Sequence, residues 1–80
     1  MTITANTVAA IAASRPVDLP PPEERQAIRR GVRLTQVRVG AIVGVTSQMV
    51  GLWENGRSEP TGVRRIRYAE LLDACIEATQ

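Results

Sequence analysis

Ten arginines carry all the side-chain positive charge of this 80-residue chain, which has no lysine and no histidine. Nine of them lie between Arg25 and Arg67, against only two acids, Glu54 and Glu59. The flanks are acidic: Asp18, Glu23 and Glu24 outnumber Arg15 on one side, and Glu70, Asp73 and Glu77 stand unopposed on the other. The net charge of +2 therefore hides a strongly basic middle. A guanidinium is a flat fork of donors that matches phosphate and the guanine edge. Charge concentrated in this way is the electrostatic footprint expected for nucleic acid, with a solvated basic face as the plainer alternative. Neutral hydrogen-bonding side chains lie within the same stretch. Gln48 can bond adenine N6 and N7 as a bidentate pair, and Ser47 can serve either base type.

Other chemistries have little to work with. There is no His, no Cys/His cluster for zinc and no paired acids in a motif, so an enzyme, a metal site and a cofactor are not expected. The single Cys75 cannot form an internal disulfide, and a reducing cytoplasm is the expected compartment. No run of eighteen apolar residues is present, so no membrane span is expected. The start lacks a basic segment, so a signal peptide is not expected.

The basic stretch is organised around Thr35 to Gly56, TQVRVGAIVGVTSQMVGLWENG. Val39, Ile42 and Val43 have the spacing of one helix face, and so do Val50 and Trp53. Gly44 between them is a helix stop, because glycine tolerates the left-handed backbone. Thr35 and Thr46 are N-caps for the two helices, and Asn55-Gly56 ends the second in a turn. Two short helices joined by about three or four residues make a helix-turn-helix. Gly40, inside the first helix, costs roughly 1 kcal/mol relative to alanine. Close approach of the second helix is the expected return; a tolerated defect is the alternative.

The pattern TQxxxGxxxGVTxxxVxxWENGRxxP resembles the helix-turn-helix of the lambda Cro/repressor-like, or xenobiotic-response-element, family. Thr35, Gln36, Val39, Gly40, Ile42, Gly44, Val45, Thr46, Val50, Trp53, Glu54, Asn55, Gly56, Arg57 and Pro60 carry the match. Tyr68-Ala69 and Leu72 suit the family's next helix, so the resemblance covers roughly Glu24 to Leu72. It implies a recognition helix from Thr46 or Ser47 to Glu54 that enters the DNA major groove. The base contacts it implies fall on Ser47, Gln48 and Leu52, with Thr46 beside them. Leu52 departs from a polar reader and can touch a thymine methyl, while Gly51 is expected to allow close approach to the DNA backbone. Gln36 is the implied phosphate contact at the first helix start, with a role in capping that helix as the alternative. Asn55, Arg57 and Ser58 are expected to lie along the phosphates, and Arg29 or Arg33 to reach one from the preceding turn. Glu54 is expected to pair with an arginine or to cap locally, and Met49 to fill the core or its edge. With so few donors, DNA shape or arginine contacts are expected to carry more of the specificity.

The rest of the chain supports this unit. Residues 1–22 read as an arm: Asn6 can cap a short helix over Thr7 to Ala13, and Asp18 to Pro22 is an extended proline-rich link. That arm is loose, packs on a partner subunit, or enters the minor groove through Arg15. Residues 23–80 form the domain. Its first helix starts after Pro22, with Glu23 and Glu24 at the positive end of its dipole and Gly31 as its stop. Leu34 then packs beneath the next helix. Thr61 is a cap for a last helix from Gly62 or Val63 to about Ala78. Val63, Ile66, Ala69 or Glu70, Leu72 and Ile76 form its core stripe. Tyr68, Leu71 and Cys75 form a second stripe, which either dimerises or is buried within the chain. Arg64, Arg65 and Arg67 crowd its start, against the dipole, which suggests a phosphate nearby.

Apolar residues make up 44% of the chain, with no Phe, one Trp and one Tyr, so the core must be aliphatic around Trp53. The expectation is an all-α bundle of four to five helices that binds double-stranded DNA as a transcriptional regulator. A Cro-like or small repressor in a phage host's cytoplasm or on the nucleoid fits best, as a homodimer at least on DNA, with no small-molecule ligand. An antitoxin-type regulator and a protein-interaction module on the same fold are the alternatives.

Overall fold

The computed structural model describes residues 17–80, and those residues form four α-helices and no strand. They are α1 (Pro22–Gly31), α2 (Gln36–Val43), α3 (Ser47–Glu54) and α4 (Gly62–Ala78). The short helix expected over Thr7 to Ala13, and Arg15 as a minor-groove contact, lie outside the described residues.

Local chemistry sets each boundary. Pro22 opens α1, Glu23 and Glu24 occupy its first turn, and Arg29 and Arg30 its last, all matched to the dipole. Its stop differs from expectation. Gly31 is still helical, and the left-handed residue is Arg33, with φ 61°. The amides of Arg33 and Leu34 return to the carbonyls of Arg30 and Arg29, at 3.0 and 3.2 Å. This is the hydrogen-bond pattern of a Schellman cap, normally completed by glycine.

Both inner caps form as expected. Thr35 Oγ1 accepts from the Arg38 amide at 3.0 Å, and Thr46 Oγ1 from the Met49 amide at 3.2 Å. Gly44 ends α2 with φ 94°, and the amides of Gly44 and Val45 both donate to the Gly40 carbonyl, at 2.7 and 2.8 Å. Gly56, with φ 77°, follows α3. Thr61 takes the N-cap position of α4 but makes no side-chain capping bond.

Helix α2 packs on α3 and α4, and α1 packs on α3 and α4. The core is Val39, Val43, Val50, Trp53, Tyr68 and Leu72. Leu19, Ile28, Leu34, Val45, Met49 and Leu71 close around it. The rings of Trp53 and Tyr68 lie 4.8 Å apart and tilted, the arrangement favoured by their quadrupoles.

Two expected core residues are on the surface instead. Ile42 is 46% exposed and Val63 60%. Gly40 is buried, which turns the inner face of α2 toward positions 39, 40 and 43 and leaves 42 at its edge. On α4 the buried face runs through Tyr68, Ala69, Leu72 and Cys75, between the two expected stripes, so Val63 falls off it. Tyr68 and Cys75 are therefore covered by the chain itself, and the surface expected to dimerise through them is not an outer surface.

Two arginines of α1 are also inside. Arg25 and Arg29 are buried at consecutive turns. Arg25 binds Glu59 through both nitrogens, at 2.8 and 3.0 Å, and also the carbonyls of Trp53 and Pro20. Arg65 donates to Glu59 Oε2, which also accepts from Arg25, at 3.2 Å, and to the carbonyls of Val17 and Pro60. These two arginines and Leu19 hold residues 17–20 against the helices.

Candidate nucleic-acid interface

The side of α3 away from the core is a ridge. Gln48, Leu52 and Asn55 are exposed at spacing i, i+4, i+7, directly behind buried Val50 and Trp53. Leu52 is 37% exposed, so the ridge has an apolar centre between two amide side chains. Thr46, at its start, is exposed too. Its hydroxyl oxygen caps the helix, which leaves the hydroxyl proton available to another acceptor.

A cleft lies on each flank of the ridge. The larger, about 400 Å³, is bounded by Gln26, Arg30, Thr35, Gln36, Val37 and Ser47, with Arg29 and Leu34 behind them. Gln36 and Ser47, expected as a phosphate and a base contact, thus come together where α1, α2 and α3 meet. The smaller, 160 Å³, lies between Met49 and Trp53 on one side and Ser58, Thr61 and Arg64 on the other. Ser58 is therefore across the ridge from Gln36. Arg30 is a rim residue that the sequence reading did not single out, whereas Arg64 is one of the three arginines expected near a phosphate. Their places at a helix end and a helix start put them beside the clefts.

Asn55 and Arg57 are both exposed beyond α3. Asn55 Oδ1 accepts from the Arg57 amide at 3.0 Å, so only its NH₂ end remains to donate outward. Arg33 is exposed in the left-handed turn between α1 and α2.

Two expectations change here. Arg29 does not reach outward: it is 7% exposed and its Nε and Nη2 grip the Glu54 carboxylate at 2.5 and 3.0 Å. That hydrogen bond, outweighing burial, raises its affinity for its proton. Glu54 pairs with an arginine, as expected. Gly51 is half-buried, and a side chain there would begin in ordinary contact, 3.5 Å from the Gln36 amide nitrogen. The crowding of arginines at the start of α4 needs no phosphate to explain Arg65 or Arg67. Arg65 is bound to Glu59, and the Arg67 guanidinium lies near Gly44, at the negative end of α2.

After these pairings six arginines among the described residues remain exposed: Arg30, Arg33, Arg38, Arg57, Arg64 and Arg67. None of them is in an ion pair among the described residues. Among those residues there is also no group of three or more Cys, Asp or Glu that could hold a metal ion. No helix among them is long and apolar enough to cross a membrane.

Comparison with protein-family models, curated proteins and solved structures yields no match.

Proposed function

We propose that this protein is a sequence-specific double-stranded DNA-binding transcriptional regulator. In this reading α2 and α3 are a helix-turn-helix of the lambda Cro/repressor-like kind, and α3 enters the major groove. The observation that carries the reading is the ridge of Gln48, Leu52 and Asn55, clamped from behind by Val50 and Trp53 and accompanied by six exposed arginines. Gln48 there faces base edges, and Asn55 and the arginines face phosphates. Gln48 is the main base reader, Leu52 contacts a thymine methyl, and Thr46 and Ser47 add hydroxyl contacts at the helix start. Gln36, Arg33, Asn55, Arg57 and Ser58 contact the backbone. Two subunits bind together on DNA, with their recognition helices about 34 Å apart in successive major grooves.

Selection of bound duplexes from a random pool, followed by titration of the enriched duplex against salt, tests this. Enrichment of a two-fold symmetric motif and a logarithmic salt slope of about −0.9 per phosphate contacted are expected. Absence of salt-sensitive binding to any duplex overturns the reading and favours a protein-interaction module.

A further inference from the structure

Arg29, Glu54 and Gln36 form one chain of hydrogen bonds that runs through three helices. Arg29 on α1 holds Glu54 on α3 through two nitrogens, and holds the turn before α2 through the Leu34 carbonyl at 2.9 Å. Glu54 Oε1 then accepts from Gln36 Nε2 on α2 at 3.1 Å. Both members of the ion pair are buried, while Gln36 is half-buried and lines the larger cleft. The amide lies over Gly51 of α3, where an added Cβ would be 3.5 Å from its nitrogen.

An ionised carboxylate only accepts hydrogen bonds, so it fixes which end of the Gln36 amide turns toward it. The amide nitrogen has two protons, and Glu54 takes one. The other is left for an acceptor above the cleft. A glutamine at the surface would lose rotamer freedom on binding such an acceptor, whereas here the ordering is already done.

We propose that Glu54 is a positioning residue for DNA: held by Arg29, it aims the second amide proton of Gln36 at a backbone phosphate. The proposal rests on the DNA-binding reading and assigns a task to a residue that does not itself touch DNA. It also accounts for the position of the acid, which would repel phosphate if it were exposed but is neutralised and buried beneath a donor.

The test is a double-variant cycle on the full chain, measured as affinity for the enriched duplex at a temperature where every variant is folded. Gln36→Met removes the amide and is expected to weaken binding about three- to tenfold, the worth of one hydrogen bond. Glu54→Gln leaves Arg29 buried without its charge and risks unfolding. The pair Arg29→Met with Glu54→Leu removes both charges at similar volume, an exchange that buried ion pairs commonly tolerate. That pair is expected to weaken binding by a similar factor, and adding Gln36→Met to it is expected to cost nothing further. Losses that multiply, or full affinity in the Met/Leu pair, overturn the proposal while leaving the DNA-binding reading intact. Failure of the unaltered protein to bind any duplex overturns both.

Discussion

A methyl group on Gly40 would come within 2.5 Å of the backbone carbonyl oxygen of Val45 and 3.2 Å of the Thr46 carbonyl carbon. The obstacle is main chain, so it cannot rotate away as a side chain would. It is also the main chain of the turn that aims α3, so relief requires moving the helix that carries the ridge. Gly40 thus sets the angle between α2 and α3, and its own carbonyl receives both amides of that turn.

Gly40→Ala is therefore expected to destabilise. Overpacking costs about 1–3 kcal/mol, against a gain in helix propensity of about 1 kcal/mol. Gly31→Ala is the control, since its new methyl would meet only Thr79 Cγ2 at 3.5 Å, in ordinary contact, within the last turn of α1. It is expected to stabilise by about 0.5–1 kcal/mol. Denaturant unfolding of the two variants measures both. Equal effects would show that the close approach has no energetic consequence.

Arg33 is held with a left-handed backbone, which costs a residue with a side chain roughly 1–2 kcal/mol relative to glycine. Arg33→Gly is expected to raise stability by about 1 kcal/mol, less what the freer unfolded chain takes back. If the side chain serves DNA, the same variant binds every duplex more weakly and lowers the salt slope by about one phosphate. Thermal unfolding and a salt titration read the two effects separately. A variant that gains stability and keeps its affinity removes Arg33 from the interface.

Tyr68 is the only tyrosine, so ultraviolet titration of phenolate reports on it alone. Its ring is buried against Trp53, and its hydroxyl is buried without a hydrogen-bond partner among the described residues. Burial raises its pKa from about 10 to about 12. A raised value means that the folded state keeps a proton the unfolded state releases. The stability linked to it is complete below about pH 10 and is lost as pH rises toward 12. Phenolate absorbance is expected to lag that of the denatured chain by the same interval. Tyr68→Phe removes the unpartnered hydroxyl, and equal or higher stability is expected. A loss greater than about 1 kcal/mol would mean the hydroxyl is bonded.

Glu59 acts at the other end of the pH scale. Its hydrogen bond from Arg25, assisted by Arg65, holds its carboxyl below the usual range despite partial burial. A depressed value contributes stability that is complete above the ordinary glutamate pKa, about 4.3, and fades as pH falls toward the folded value. Glu59→Gln is expected to lower stability at neutral pH and to flatten its decline below pH 5. The difference is modest because Glu59 is 45% exposed. An unchanged acid limb in urea titrations from pH 3 to 7 would assign the acid sensitivity to other carboxylates.

Turn chemistry was the most legible part of the sequence. Thr35, Gly44 and Thr46 do locally what their residue types favour, and Gly40 returns its helix cost through the turn it accommodates. The buried arginines were harder to see because their burial is not a property of arginine. The signal was present nonetheless. Arg25, Ile28, Arg29 and Val32 have the spacing of a core-facing helix stripe, and the basic stretch contains only two acids to meet them, Glu54 and Glu59. On helix α4 the two expected stripes bracket the buried face, and Val63 falls off it. Its many small apolar residues support several stripes, and only the aromatic contact from Tyr68 to Trp53 selects among them. The two clefts beside α3 involve residues far apart in sequence, so no local pattern announces Arg30 at the rim of the larger one.

Gln48 and Arg57 are both exposed polar residues near α3, and the proposed interface gives them different tasks. Gln48 is on the ridge, where a bidentate amide discriminates one base from another by about 1–3 kcal/mol. Arg57 is in the loop beyond it, where a guanidinium meets phosphates that are the same in every sequence. Gln48→Ala is therefore expected to lower affinity for the enriched duplex far more than for a scrambled one, with the salt slope unchanged. Arg57→Ala is expected to weaken both duplexes by the same factor and to reduce the slope by about one. Fluorescence anisotropy at several salt concentrations separates the two patterns. If both variants lose selectivity equally, base reading does not reside on this ridge and α3 is not the recognition helix.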